Sequence, residues 1–203
     1  MGTKNRLPQF RTDSRKEKIK RVLEKRQPDI TIILENINDP HNMSAALRSC
    51  DATGVLEVCF LYHGSQPFPK LGRQSSASAK KWVDARMFHS VDECFEFARS
   101  TGKKIYTTHM SRDAVSLYDL NLSEPVALVF GNEHAGVSER AAELADGNYL
   151  IPQVGMIQSL NISVACAVSL YEAFRQRTRA GLFDSPRFSP ENFELKMDDW
   201  LKR

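Results

Sequence analysis

A strand, a polar turn and a helix follow one another in ITIILENINDPHNMSAALRSCDATGV (residues 30–55). Its first six residues (30–35) are an almost uninterrupted apolar run, as in a strand buried on both faces of a parallel sheet. Pro40 suits the first turn of a helix, and Gly54 suits the position just after a helix ends. The apolar residues at helical spacing between them are Met43, Ala46, Leu47 and Cys50. The stretch therefore predicts a strand–turn–helix unit.

The same alternation continues along the chain. Apolar runs predict further strands at 57–62, 83–88, 104–109, 125–130 and 149–151. Helical spacing predicts helices at 13–26, 92–101, 138–144 and 159–179 and a terminal helix ending near Trp200, with loops at 63–78 and 111–124. Ser14 followed by Glu17 has the spacing of a capping box for the first helix. This order predicts an α/β fold with a mostly parallel sheet flanked by helices.

Composition excludes several classes of protein. Hydrophobic residues make up 41% and charged residues 26% of the 203 residues, which is typical of a globular domain with a core. No run approaches the about 18–20 apolar residues of a membrane-spanning helix, and the N-terminus lacks the apolar region of a secretory signal. The four cysteines are widely spaced, without the spacing of a zinc site or a disulfide framework. We expect a cytoplasmic protein with no metal and no membrane partner.

Positive charge is concentrated at the N-terminus. Residues 1–27 contain ten Lys or Arg and three Asp or Glu, a net charge of +7, whereas the whole chain carries +3. The remaining residues therefore sum to −4. An acidic body with a cationic segment favours a polyanionic partner that contacts this segment. The alternative is a helix whose charges only aid solubility.

Three polar turns follow predicted strands, and in a parallel sheet such turns meet at the carboxyl edge. The first turn contains His41 and Asn42 and opens the helix that carries Arg48. A helix N-terminus offers free N–H groups to an anion, and an arginine offers a planar fork for phosphate. The spacing equally allows Arg48 to pair with Asp51 or another surface acid, so both interpretations stay open.

The second turn is GNEHAGVS (131–138), directly after an apolar strand. Gly131 lets the backbone approach a ligand closely, and Asn132 and Glu133 present polar groups at the end of the strand. His134 could act as a ligand or a base, although a single histidine in a polar turn is more often a surface residue.

The third turn precedes a long helix rich in small and apolar residues. Ser159 and Asn161 stand at its start, and the spacing alone makes Ser159 an N-cap. None of the three turns contains the GxGxxG, Walker A or GxSxG pattern, which leaves nicotinamide, P-loop and hydrolase chemistry unsupported. The residues by themselves indicate an α/β protein with a polar ligand site and a cationic arm.

Together, the three turns resemble the motifs of the SpoU family of RNA ribose 2′-O-methyltransferases, within the SPOUT superfamily. The first motif corresponds to residues 42–48, the second to GNE (131–133) and the third to IPQVGMIQSLNISVA (151–165). The resemblance extends over about residues 18–181. Residues 26–55 look especially similar to the TrmH-type enzymes, which methylate guanosine 18 in the D loop of tRNA.

This resemblance implies a deep C-terminal trefoil knot and helical extensions at both ends. It divides one domain into a basic extension (1–28), a methyltransferase core (29–175) and a helical tail (176–203). It also implies S-adenosyl-L-methionine as the methyl donor, tRNA as the partner, and a homodimer with its site at the subunit interface.

The resemblance also assigns roles to individual residues. The positions matching catalytic and substrate-ordering residues are Asn42, Arg48, Glu133, Ser159 and Asn161. The positions matching the cofactor loops are Thr108, Gly131, Ile151 and Leu160. The expected RNA-binding residues are Arg11, Lys18, Arg21, His41, Arg175 and Arg177. Gln153 departs from the family, which often has methionine there.

Two alternatives remain beside tRNA methylation at guanosine 18. One is the same chemistry on ribosomal RNA or on a tRNA anticodon loop. The other is a non-catalytic RNA-binding protein with this fold, which would have no need of all five residues that match the catalytic positions.

Overall fold

The computed structural model describes residues 6–64, 81–109, 113–157 and 159–203, with side chains from residue 13 onward. The helices are α1 (Arg6–Leu23), α2 (Pro40–Thr53), α3 (Val91–Ser100), α4 (Glu139–Leu144), α5 (Ile162–Arg179) and α6 (Pro190–Lys202). The strands are β1 (Gln27–Glu35), β2 (Val55–Leu61), β3 (Asp84–Phe88), β4 (Lys104–Thr107), β5 (Val115–Ser116), β6 (Val126–Phe130) and β7 (Gly147–Leu150).

The strands form one sheet in the order β3-β2-β1-β6-β4-β7-β5, and every pair is parallel. Ile32 of β1 is in register with Val58 on one side and Leu128 on the other. The central strands are buried on both faces, which explains their continuous apolar sequences. The prediction of an α/β fold with a parallel sheet is confirmed.

Alternation along β1 sends side chains into two cores, one on each face of the sheet. Ile32 lies in the core that contains Leu47 of α2 and Leu170 of α5. Ile33, the next residue, lies in the opposite core with Phe95 of α3. Helices α2 and α5 therefore share one face of the sheet, where they also contact each other.

A third apolar cluster joins the two ends of the chain. Ile19 and Leu23 of α1 pack with Met197 and Trp200 of α6. The guanidinium of Arg26, fully buried, lies 5.2 Å from the centre of the Trp200 ring. The basic helix is thereby held in place by α6.

Several predicted boundaries are wrong. Helix α1 begins at Arg6, so Ser14 lies inside the helix and the predicted capping box does not start it. Helix α5 begins at Ile162 with Asn161 as its N-cap, which replaces the N-cap predicted at Ser159. The loop predicted at 111–124 contains β5 and a 3₁₀ turn at Leu117–Asp119.

Other local predictions are confirmed. Pro40 begins α2, and Gly54 ends it in the left-handed conformation with φ of 87°. Most of the loop predicted at 63–78 lies outside the described residues. Among the helices that the structure describes, none has the length and apolar character needed to cross a membrane.

Candidate functional site

Three side chains from the three turns form a hydrogen-bonded set at the carboxyl edge of the sheet. Asn42, in the first turn of α2, donates from Nδ2 to Glu133 Oε1 at 3.0 Å. Asn161, the N-cap of α5, donates from Nδ2 to Asn42 Oδ1 at 3.0 Å. We call Asn42, Glu133 and Asn161 the amide–carboxylate cluster. Residues 119 positions apart are thus in direct contact.

The orientation of Asn161 is fixed by the helix that it caps. Its Oδ1 accepts the backbone N–H of Ser163 at 2.9 Å and the Ser163 hydroxyl at 2.6 Å. Since both acceptor contacts use Oδ1, the amide Nδ2 is left to donate to Asn42. The cluster is therefore a directional chain of donors that ends on the carboxylate of Glu133.

Tight packing of the backbone shapes the turn that carries Glu133. A Cβ atom at Gly131 would lie 2.1 Å from the carbonyl carbon of Gly136, so no side chain fits there. Asn132 and Gly136 exchange two backbone hydrogen bonds of 2.9 Å each. We call residues 131–138 the GNE loop, and this close pairing holds Glu133 at its exposed tip.

Asn132 anchors the GNE loop to the end of β1. Its Nδ2 donates to the backbone carbonyl of Asn36 at 2.8 Å. Its Oδ1 accepts the backbone N–H groups of His134 and Ala135 at 2.9 and 3.1 Å. His134 is exposed, as expected of a surface residue.

Arg48 is exposed on α2, six residues after Asn42. Within the described parts of the chain it forms no hydrogen bond or salt bridge, with the amide–carboxylate cluster or elsewhere. The alternative pairing with Asp51 is not found, because Asp51 pairs with Arg26. The guanidinium of Arg48 is therefore available to a ligand.

The residues predicted to hold the cofactor follow neighbouring strands. Thr108, after β4, hydrogen-bonds Val129 through its N–H and its hydroxyl, both at 3.2 Å. Gly131 follows β6, and Ile151 follows β7. Leu160 is half-buried and Ser159 exposed in the connection to α5. The sheet order β6-β4-β7 brings the first three of these positions to one edge.

Sequence reasoning missed a buried carboxylate at this edge. Glu35, the last residue of β1, is only 1% exposed and contacts Ser138 and His63. The signal was present, because a fully buried strand that ends in an acid requires partners for its charge.

Tyr62 also lies close to this edge, beyond the end of β2. Burial and then the negative charge of Glu133 raise the pKa of Tyr62 well above its usual value. Its hydroxyl donates to the carbonyl of Ile37. Tyr62 therefore stays protonated at neutral pH.

Residues 29–171 match the model of a family described as the SpoU rRNA Methylase family. The chain belongs to this SpoU family. A tRNA (guanosine(18)-2′-O)-methyltransferase of Thermus thermophilus is 45% identical over 195 residues, 95% of this chain and 98% of that one. The enzyme of the same name from Aquifex aeolicus is 36% identical, covering 93% of this chain and 89% of that one.

Solved structures of SpoU proteins share this fold. The A. aeolicus TrmH/SpoU tRNA modifying enzyme superposes with a TM-score of 0.87 at 34% identity, covering 94% of this chain and 96% of that chain. The SpoU methyltransferase AviRb from Streptomyces viridochromogenes, in complex with the cofactor AdoMet, gives a TM-score of 0.66 at 26% identity. That match covers 76% of this chain and 59% of that chain.

The side chains predicted to contact RNA in this SpoU chain lie mostly at the surface. Lys18 and Arg21 are exposed on α1, and His41 is exposed in the first turn of α2. Arg11 belongs to α1, before the residues whose side chains the structure describes. Arg175 is exposed, but its guanidinium makes two hydrogen bonds of 2.8 and 2.6 Å to Glu172.

The prediction that Arg177 binds RNA is corrected by its burial. The side chain is 1% exposed and pairs with Asp29 at 2.6 Å. It also donates to Gln27 and to two backbone carbonyls. Because its donors are used inside the protein, Arg177 holds the amino edge of the sheet together and is not offered to phosphate.

Proposed function

We propose that this SpoU-family chain transfers a methyl group from S-adenosylmethionine to the 2′-hydroxyl of guanosine 18 in tRNA. The observation that carries the proposal is the amide–carboxylate cluster, in which residues from all three motifs contact one another. The relative of that name in T. thermophilus, 45% identical and covered over 98% of its length, supports the choice of substrate.

The residues at the carboxyl edge suit S-adenosylmethionine. Thr108, Gly131 and Ile151 follow adjacent strands, and Leu160 belongs to the connection that follows. The exposed carboxylate of Glu133 complements a positively charged sulfonium. When bound, the cofactor supplies an electrophilic methyl group. These four residues would hold it, and the cluster would lie beside its reactive end.

The cluster would order the ribose for attack. A ribose hydroxyl is a weak nucleophile and has to lose its proton as the new bond forms. Asn42 and Asn161 are fixed by each other and by the cap of α5, so they offer a rigid polar surface to the substrate. Ser159, two residues before Asn161, would add a hydroxyl to this surface.

Arg48 would bind the RNA phosphate next to the reacting ribose and stabilise the developing alkoxide. Arginine keeps its proton in proteins, with a pKa above about 12, so a role as a simple base is unfavourable. The proton of the 2′-hydroxyl would pass to phosphate or water. The exposed, unpaired guanidinium among the described residues suits this electrostatic role.

Helix α1 would supply most of the contacts to the tRNA backbone. Its exposed cations, including Lys18 and Arg21, are held by α6 through the third apolar cluster. Phosphate contacts of this kind make binding salt-sensitive and independent of sequence. The division into a basic extension, a core and a tail stays a prediction, as does the cytoplasmic location that a tRNA substrate implies.

We infer that the chain works as a homodimer through α5 and the connection before it. This surface is apolar although it is exposed in the single chain, which is typical of an interface. Its exposed residues are Val154, Met156, Ile157, Val164, Tyr171 and Phe174. Asn161 lies between Ile157 and Val164 in the sequence, so a partner copy on this surface would border the site. Sedimentation velocity returning the mass of one chain, 23.0 kDa, would contradict this inference.

We also infer a deep trefoil knot in the C-terminal half of the core. The inference rests on the family resemblance, since sequence physics alone argues against knots. Helix α5 follows β7, which lies near one edge of the sheet, and packs against α2, which connects β1 and β2. This long return of the chain supports the inference. A crystal structure with an unknotted chain trace would contradict it.

The test is methylation of unmodified tRNA with labelled S-adenosylmethionine, followed by mapping of the modified nucleoside. We expect 2′-O-methylguanosine at position 18. Transcripts with guanosine 18 replaced by adenosine are the matched control and should take up no label. Label found only in ribosomal RNA or in the anticodon loop would contradict the proposed substrate.

A further inference from the structure

Glu35 ends β1 as a buried carboxylate surrounded by donors. Its Oε2 accepts the backbone N–H of Ser138 at 3.0 Å, and its Oε1 accepts the Ser138 hydroxyl at 2.6 Å. His63 Nε2 lies 2.7 Å from the same Oε1. These three contacts and an exposure of 1% hold the carboxylate in place.

These contacts hold the far end of the GNE loop. Ser138 is the last residue of the loop and the N-cap of α4, where its hydroxyl accepts the N–H of Ala141 at 3.2 Å. The near end is held by Asn36, the residue after Glu35, whose carbonyl accepts the Asn132 amide at 2.8 Å. Glu35 and Asn36, which are consecutive in the chain, therefore hydrogen-bond the two ends of the GNE loop.

Asn36 and His63 add contacts between the ends of β1 and β2. Asn36 has a φ of 51°, the left-handed conformation that asparagine tolerates better than most residues. Its Oδ1 accepts the backbone N–H of His63 at 3.2 Å, while the His63 ring contacts Glu35. The ends of β1 and β2 are thus joined to each other and to the GNE loop.

We propose that Glu35 is a positioning residue for Glu133, acting through the GNE loop to fix the amide–carboxylate cluster. A buried carboxylate is costly for stability, and an apolar residue would fill the same space more cheaply. Its place directly under a loop that carries a site residue accounts for this cost. The role rests on the proposed function, because it concerns the geometry needed for methyl transfer.

A double-mutant cycle separates positioning from general stability. Glu35→Gln replaces one carboxylate oxygen by an NH₂ group, which cannot accept hydrogen bonds from the surrounding donors. The substitution should lower kcat and the single-turnover rate by about 10- to 100-fold, because Glu133 is misplaced. The KM for tRNA should change by less than about threefold, since none of the predicted RNA-binding residues lies on the GNE loop. In a Glu133→Ala background the same substitution should change single-turnover rates by less than about threefold. An equal loss in both backgrounds would overturn the proposal.

A milder variant covers the case in which Glu35→Gln does not fold. Ser138→Ala removes the hydroxyl that contacts Glu35 and should lower kcat by about 10-fold. Ser90→Ala is the matched control, because the Ser90 hydroxyl caps α3 by accepting the N–H of Glu93. It should leave kcat unchanged. Equal kcat values in the two variants would overturn the proposal.

Hydrogen exchange gives a readout that does not depend on the substrate. Amides of residues 132–138 should exchange at least about 10-fold faster in Glu35→Gln and Ser138→Ala than in the wild type, with α5 unchanged. Unchanged exchange in this loop would overturn the proposal whatever RNA is methylated. Faster exchange with no methylation of tRNA by the wild type would instead count against the proposed function alone.

Discussion

Strand β1 carries a carboxylate near each end, the half-buried Asp29 and the buried Glu35, and the two have different kinds of partner. Near the amino end, Asp29 pairs with two arginines, Arg177 at 2.6 Å and Arg187 at 2.7 Å. At the carboxyl end, Glu35 is held by Ser138 and His63, and no arginine or lysine in the described parts of the chain pairs with it. The first arrangement cancels charge and fastens the sheet. The second uses charge to hold a loop in position.

The largest expected effect is on stability, at the amino end. Asp29→Ala leaves the guanidinium of Arg177 buried without its carboxylate and should lower the free energy of unfolding by about 3–5 kcal/mol. Turnover of the folded enzyme at low temperature should be unchanged. Chemical denaturation checks the first expectation, and initial rates check the second.

The exposed pair of Asp92 and Arg140 supplies the control, since both side chains are more than half exposed. Asp92→Ala should lower the free energy of unfolding far less than Asp29→Ala, because solvent screens this exposed pair. If Asp29→Ala costs no more than this control, or if it lowers turnover, the assignment of the amino end to stability is wrong.

Asp29 also makes the stability of the protein depend on pH in the acid range. Burial raises the pKa of Asp29, but the guanidiniums of Arg177 and Arg187 lower it further and hold it below its ordinary value. The stabilisation is therefore complete above the unfolded pKa of about 3.9 and is lost as the pH falls through the folded value. Denaturation curves below about pH 4 should be less pH-dependent in Asp29→Ala than in the wild type.

The next largest expected effect is on turnover, at Arg48 of α2, the helix that follows the carboxyl end of β1. Arg48→Ala should lower kcat by about 100- to 1000-fold, because it removes a charge from the developing alkoxide. Affinity for S-adenosylmethionine and the midpoint of thermal unfolding should not change. Arg99→Ala, an exposed arginine on α3, is the control. Near-normal turnover in Arg48→Ala would contradict the proposed role of this residue.

The smallest effect is on tRNA affinity. Replacing both Lys18 and Arg21 by alanine should weaken binding and lower the slope of log K against log salt by about 1 to 2. Removing the whole arm would be a poorer experiment, because Leu23 and Arg26 are fully buried. Lys104→Ala, at the amino edge of the sheet, is the control. If the double variant and the Lys104→Ala control have equal salt slopes, α1 is not the RNA-binding element.

Much of the fold could be predicted because the central strands are apolar throughout. Residues 30–35 and 125–130 had only one plausible environment, between two layers of helices. The extra turns at the start of α1 and the two-residue strand β5 were missed, because neither has an apolar pattern long enough to identify.

Some residues of the site could be predicted from the sequence and others could not. The meeting of Asn42, Glu133 and Asn161 followed from the resemblance together with the rule that strand ends converge. The misassignment of Arg177 was avoidable, since residues two apart on a helix face different directions and Arg175 and Arg177 could not both face RNA. The burial of Glu35 could be inferred from its place at the end of an apolar strand, but its role could not, because that role depends on Ser138, a partner 103 residues away.

The crowding around Gly131 changes how mutational scans of this protein should be interpreted. Even alanine would force its methyl group against the backbone of Gly136, whereas a methyl group at Gly155 would meet none of the described residues within 4 Å. Intolerance at position 131 would thus reflect lack of room in the loop, and it would not identify a residue that touches the methyl donor. Tolerance at position 155 would provide the contrast.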